Sequence, residues 1–180
     1  MFPNRRSAVI SIAVVLFLLA FAIFAIDQNN VSRLKGYKQQ AMGFLDQGMD
    51  AMDERFTYAR ALVELLDDKG LAEPITVVLD SYTRDLPPGE LSELYGALDK
   101  ELALLQKRVF THSQYPLYAS YFEKIYEAEQ EMAQHLNDYN DKAHFYNVQR
   151  GGFLATIAAK RLDMQALELF SVATAIKGRP

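Results

Sequence analysis

The chain begins with a stretch that neither charge nor a polar face interrupts. Residues 7–26 (SAVISIAVVLFLLAFAIFAI) are 20 uncharged positions, and a helix rising ~1.5 Å per residue carries such a run across the ~30 Å hydrocarbon core of a bilayer. A buried helix of a soluble protein would show polar positions at 3.6-residue spacing, and none occurs here. Signal-peptide cores usually run about 7–15 apolar residues and end at a small-x-small site. Ala20-Phe21-Ala22 offers such a site, but the run is longer, so the expectation is a retained anchor.

Beyond Asp27 the pattern becomes amphipathic at helical spacing, and period-two alternation almost vanishes. Val31, Leu34, Ala41, Leu45, Gly48, Met52, Phe56, Ala59, Leu62, Val63 and Leu66 form one stripe. The anchor is therefore expected to continue straight into a long amphipathic helix, closed by Lys69-Gly70 as a C-terminal cap. Gly36, Gly43 and Gly48 each weaken that helix by up to ~1 kcal/mol relative to Ala, which close approach of a neighbouring helix would explain. A second helix is expected over 74–85, with Pro74 in its first turn and Pro87-Pro88-Gly89 beyond its end.

The third helix, over 90–110, carries the seam Leu91, Leu94, Leu98, Leu102, Leu105 and Val109. The fourth, over 117–148, carries Tyr118, Phe122, Ile125, Met132, Leu136, Tyr139, Ala143 and Tyr146, and Gly151-Gly152 closes it. A last helix is expected over 153–175. The fold class is all-α: an N-terminal transmembrane helix followed by an antiparallel, up-and-down bundle of about four long helices. The implied division is an anchor at 1–26, a bundle at 27–176 and a tail at 177–180.

Charge narrows the function classes. All 23 acidic residues and 17 of the 19 basic ones follow residue 26, a net charge of −6 that argues against a nucleic-acid surface. The absence of cysteine excludes a disulfide framework and thiolate metal ligands. Arg5 and Arg6 precede the anchor, while Arg33, Lys35 and Lys38 follow it, so the positive-inside rule nearly cancels. The expected orientation is a cytoplasmic N-terminus with the bundle on the other side. Homo-oligomerisation through the anchor is an option, although the run lacks Gly-x-x-x-Gly.

Catalytic signatures are missing: there is no glycine-rich phosphate loop, no His-Glu-x-x-His and no cysteine nucleophile. Asp141-x-x-His144, with Glu131 and His135 one turn apart upstream, is the nearest approach to the Glu-x-x-His pairs of di-iron bundles, and no second pair exists. The reading is a non-enzymatic protein with no catalytic residue, cofactor or metal.

Two constellations stand out instead. Tyr139-Asn140 and Tyr146-Asn147 repeat seven residues apart, close to two helical turns with about 20° of drift. Such pairs can fix helix register through satisfied hydrogen bonds, or line a small-molecule cavity of at least ~300 Å³. Tyr115, Tyr118, Tyr121 and Tyr126 cover too wide an arc to share the core stripe, and are expected to form an exposed tyrosine-rich patch for a protein partner.

On these residues the chain resembles the LemA family. The resemblance rests on the N-terminal anchor, Tyr115-Pro116, Glu129 with Met132-Ala133, Tyr139-Asn140-Asp141, Tyr146-Asn147, Phe153 and Leu169-Phe170, and covers roughly 115–170. Arg60-Ala61-Leu62-Val63 stands where the family tends to show Pro-Asn-Leu-Val, and Leu154 where it shows proline, so the likeness is to a divergent member. The resemblance implies a bacterial single-pass protein of the inner membrane, tethered to lipid through 7–26 and carrying a helical bundle, with no catalytic residues. The function expected is that of an interaction or scaffold protein with a protein partner, and the alternative is a ligand-sensing bundle.

Overall fold

The computed structural model describes residues 5–171. They are helical, without a strand, and form α1 (Arg5–Leu65), α2 (Lys69–Asp80), α3 (Pro88–Val109), α4 (Tyr115–Arg150) and α5 (Phe153–Arg161). Helix α1 runs unbroken for 61 residues because nothing in it stops a helix: no proline lies between Arg5 and Leu65. Its first third is apolar on every side, with side chains such as Phe17 (70% exposed) facing outward from Val9 to Ile26. This is one helix long and apolar enough to cross a membrane. From Val31 onward the same helix buries a single stripe.

The core forms where α1, α3 and α4 turn their stripes toward one another. Leu34 packs with Tyr146, Tyr37 meets Phe145 edge-on at 4.9 Å, and Gly48 lies against Leu136. Residue numbers thus fall along α4 as they rise along α1. The α4 stripe is buried at every position its spacing predicts, and so is the α3 seam apart from the half-buried Leu94.

The expectations for the second and last helices need correction. Lys69-Gly70 opens α2 and does not cap α1, because the Asp68 carboxylate accepts from the Gly70 N–H at 2.8 Å, an N-cap that overrides the Lys-Gly signal. Pro74 therefore lies inside α2, which stops at Asp80. Contacts to α1 end it there. Arg60 donates to the terminal Leu79 carbonyl at 2.7 Å, Tyr82 stacks on Phe56 at 3.9 Å and donates to Asp53, and Arg84 bridges Asp50 and Asp53.

Helix α5 ends at Arg161, not at 175. Asp163 adopts a left-handed conformation (φ 49°), and the chain then runs extended to Ser171. Residues 172–180, with the rest of the expected helix and the tail, lie outside the described residues.

Close packing accounts for only one of the three glycines in α1. A Cβ on Gly48 would meet Leu136 Cδ2 at 2.7 Å and Cγ at 3.0 Å, whereas Gly36 and Gly43 face open space. Gly43→Ala is expected to stabilise the protein by up to ~1 kcal/mol, since only helix propensity changes. Gly48→Ala is expected to destabilise it, because overpacking typically costs ~1–3 kcal/mol and exceeds the propensity gain. Thermal unfolding of the two variants, followed by circular dichroism in detergent micelles, should shift in opposite directions.

Candidate functional site

The Tyr-Asn repeat grips an extended strap formed by the chain's own C-terminal segment. Asn147 donates from Nδ2 to the Leu167 carbonyl and accepts the Leu167 N–H at Oδ1, both at 2.8 Å. Asn140 makes the same pair of 2.8 Å bonds to Phe170. Each side-chain amide thus satisfies both polar groups of one backbone residue, as a neighbouring strand would. The tyrosines and an arginine complete the clamp. Tyr146 donates to the Gln165 carbonyl at 2.9 Å, Tyr139 to that of Glu168 at 2.6 Å, and Arg150 Nε to that of Met164 at 2.6 Å. Beyond Phe170, the Ser171 N–H donates to Ser92 Oγ of α3 at 3.0 Å.

Two periodicities match in this clamp. Seven residues of helix advance about 10.5 Å at 1.5 Å per residue, and three residues of extended chain advance about 10 Å. The heptad step from Asn140 to Asn147 is therefore met by the three-residue step from Phe170 back to Leu167. The inward side chains keep the same step: Met164 and Phe170 are buried and Leu167 half-buried, with exposed residues between them. Phe170 meets Tyr139 edge-on at 6.0 Å. Burial pushes the Tyr139 and Tyr146 phenols above their ordinary value, so both stay protonated donors.

The strap closes the place where a ligand cavity was expected. The repeat's polar groups are taken up by the strap. The space next to Phe170, bounded by Met52, Tyr95 and Leu136 and not by the repeat, amounts to about 180 Å³, none of it wide enough for a water molecule. A groove of about 390 Å³ lies elsewhere, beside Gly43, Phe44 and Lys142, and the repeat does not line it.

A second constellation, absent from the sequence reading, lies at the centre of the bundle. The Arg55 side chain is fully buried, and its Nη2 reaches Asp99 Oδ1 at 3.0 Å and Glu129 Oε2 at 3.4 Å. Its guanidinium lies 4.8 Å from the centre of the Tyr95 ring, and the Tyr95 hydroxyl donates to Glu129 Oε1 at 3.0 Å. Burial, reinforced by the Glu129 carboxylate, raises the Tyr95 pKa well above its ordinary value.

A signal for this centre was present in the spacing. Arg55 completes the alternating three- and four-residue steps from Met52 to Ala59 on α1, and Glu129 does the same between Ile125 and Met132 on α4. Both are charged residues at core positions of a heptad pattern, which hydrophobicity alone passes over.

The expected tyrosine patch is not an exposed surface. Tyr118 is buried and donates to Gln114 at 2.7 Å. Tyr126 donates to Gln106 Oε1 at 2.7 Å, and Gln106 Nε2 donates to the Tyr115 hydroxyl at 3.3 Å. Tyr121 is half-buried beside Lys124. The wide arc is covered because Gln106 on α3 offers both an acceptor and a donor to the phenols that the core stripe leaves out. The outward apolar residues at this end are Phe110 and Leu117.

Asp141 and His144 face outward, and no three His, Cys, Asp or Glu side chains converge as a metal set among the described residues. No protein-family model, curated protein or solved structure matches the chain.

Proposed function

We propose that this chain is a membrane-tethered, non-enzymatic helical-bundle protein, a divergent LemA-like protein that holds an interaction surface at a set height above the bacterial inner membrane. The observation that carries this reading is the continuity of α1. The helix that is apolar on all sides from Val9 to Ile26 becomes, without a break, the central helix of the core. The 39 residues from Asp27 to Leu65 make a stem about 60 Å long at 1.5 Å per residue. Helices α3 and α4 pack along it as an up-and-down bundle. At the far end, the tip around Phe110 and Leu117 is the surface offered to a protein partner.

The polar groups favour a structural role over a ligand-sensing one. The four side chains of the Tyr-Asn repeat all bond the strap, and the Arg55 centre is sealed from solvent. The test uses single cysteines at Asn4 and Ser113 in this cysteine-free chain, expressed in intact bacteria. A membrane-impermeant maleimide is expected to label position 113 and not position 4, with the full-length protein retained in carbonate-washed membranes. Release of the labelled bundle into the soluble fraction would overturn the tethered reading, and labelling of position 4 alone would reverse its orientation.

A further inference from the structure

We propose that α5 is a second lipid contact, an interfacial helix whose Phe153, Leu154 and Ile157 enter the same leaflet in which the anchor ends. This inference rests on the tethered reading of α1. After the anchor itself, α5 and the turn before it carry the densest group of outward apolar side chains: Phe153 is 83% exposed, Ile157 56% and Leu154 48%. A soluble surface rarely gathers large apolar groups in this way without a partner.

One outward face of α5 carries both its large apolar and its basic side chains. At 3.6 residues per turn, Phe153, Leu154, Ile157, Lys160 and Arg161 fall within about 120° of arc. The opposite face buries Ala158 and Ala159 against the bundle. The outward face is therefore apolar over its first turns and basic at its end, where the exposed Lys160 can reach headgroups while its stem stays in the apolar layer.

The packing of α5 on α1 sets its depth. Leu154 and Ile157 share a cleft of about 180 Å³ with Ile23, Ile26, Asp27 and Asn30. Ile23 and Ile26 are the last turn of the apolar run, so a bilayer that covers them also covers the level of Leu154 and Ile157. Interfacial helices lie ~5–10 Å into the headgroup–acyl boundary, the level at which the last apolar turn of the anchor ends. Arg161 pairs with Asp27 at 2.6 Å, locking α5 to α1 at that level. The occupant of the apolar face is thus the lipid that already surrounds the end of the anchor.

The chain contains no tryptophan, so single-tryptophan variants report depth directly. Phe153→Trp, Phe24→Trp and Phe110→Trp are each made in the full chain, reconstituted into phosphatidylcholine vesicles with or without bromine on the acyl chains. All three positions are more than half exposed, so the substitutions leave the core intact. Bromolipid is expected to quench Phe24→Trp and Phe153→Trp strongly and to leave Phe110→Trp unchanged. Quenching at position 24 but not at 153 overturns the interfacial assignment while the anchor stands. Quenching at neither overturns the tethered reading itself. Emission at position 153 that is unquenched and shifts to the blue as protein density rises means that a second copy covers α5, and this also overturns the proposal.

Discussion

Arg55→Met is expected to destabilise the bundle by about 3–5 kcal/mol, the cost of leaving buried charge without its counter-ion. Arg55 is the cation between Asp99 and Glu129, and all three are buried. A methionine fills much of the same volume, so packing loss is not the main effect. What is lost is the charge that offsets two carboxylates withdrawn from water, together with the stacking on Tyr95. Arg55→Lys should recover only part of the loss, because an ammonium is more strongly hydrated than a guanidinium and gives up the planar stacking on Tyr95. Replacing the polar group as a whole, Arg55→Met with Asp99→Leu, Glu129→Leu and Tyr95→Phe, should restore most of the stability, since apolar groups of similar size often match a buried ion pair and no hydroxyl is left without its acceptor. Thermal unfolding of the full chain in micelles measures all three. A loss below ~1 kcal/mol for Arg55→Met would mean that the guanidinium is not the counter-ion of these carboxylates.

The second large effect concerns the strap. Asn140→Ala with Asn147→Ala removes four hydrogen bonds to the backbone of Leu167 and Phe170. At a net ~0.5–1.5 kcal/mol per bond, the pair should cost about 2–6 kcal/mol, expressed mainly as local release of the strap. Hydrogen exchange is the discriminating measurement. The amides of Leu167 and Phe170 should lose their protection while those of α1 and α4 around Gly48 and Leu136 keep theirs. If exchange instead accelerates along the α1–α4 contact, the asparagines fix helix register and the strap is incidental. Tyr146→Phe, which removes a single bond to Gln165, should show a weaker version of the same local pattern.

The physical basis of the two sites explains why one was half legible and the other was not. The Tyr-Asn repeat was visible as a heptad of polar and amphipathic groups that needed partners. Its partner was not visible, because a segment that completes its hydrogen bonds on another element shows no periodicity of its own kind. Residues 162–171 read as helix by composition, yet 164–171 run as a strap because Asp163 turns the chain and α4 offers amides at the right step. For the tyrosines near Tyr118, the helical wheel showed that some must leave the core stripe. That they would meet Gln106 depended on where α3 docks.

The sequence alone determined the all-helical class, the long apolar run and the buried stripes of α1, α3 and α4. Each follows from the match between local spacing and helix geometry. The tertiary structure decided the end of α2 beside Arg60, the extended strap, the covering of the tyrosines and the joining of Arg55 to Asp99 and Glu129. Those outcomes depend on polar groups from distant parts of the chain meeting one another, and the free energy of a buried hydrogen bond or ion pair exists only once both partners are in place.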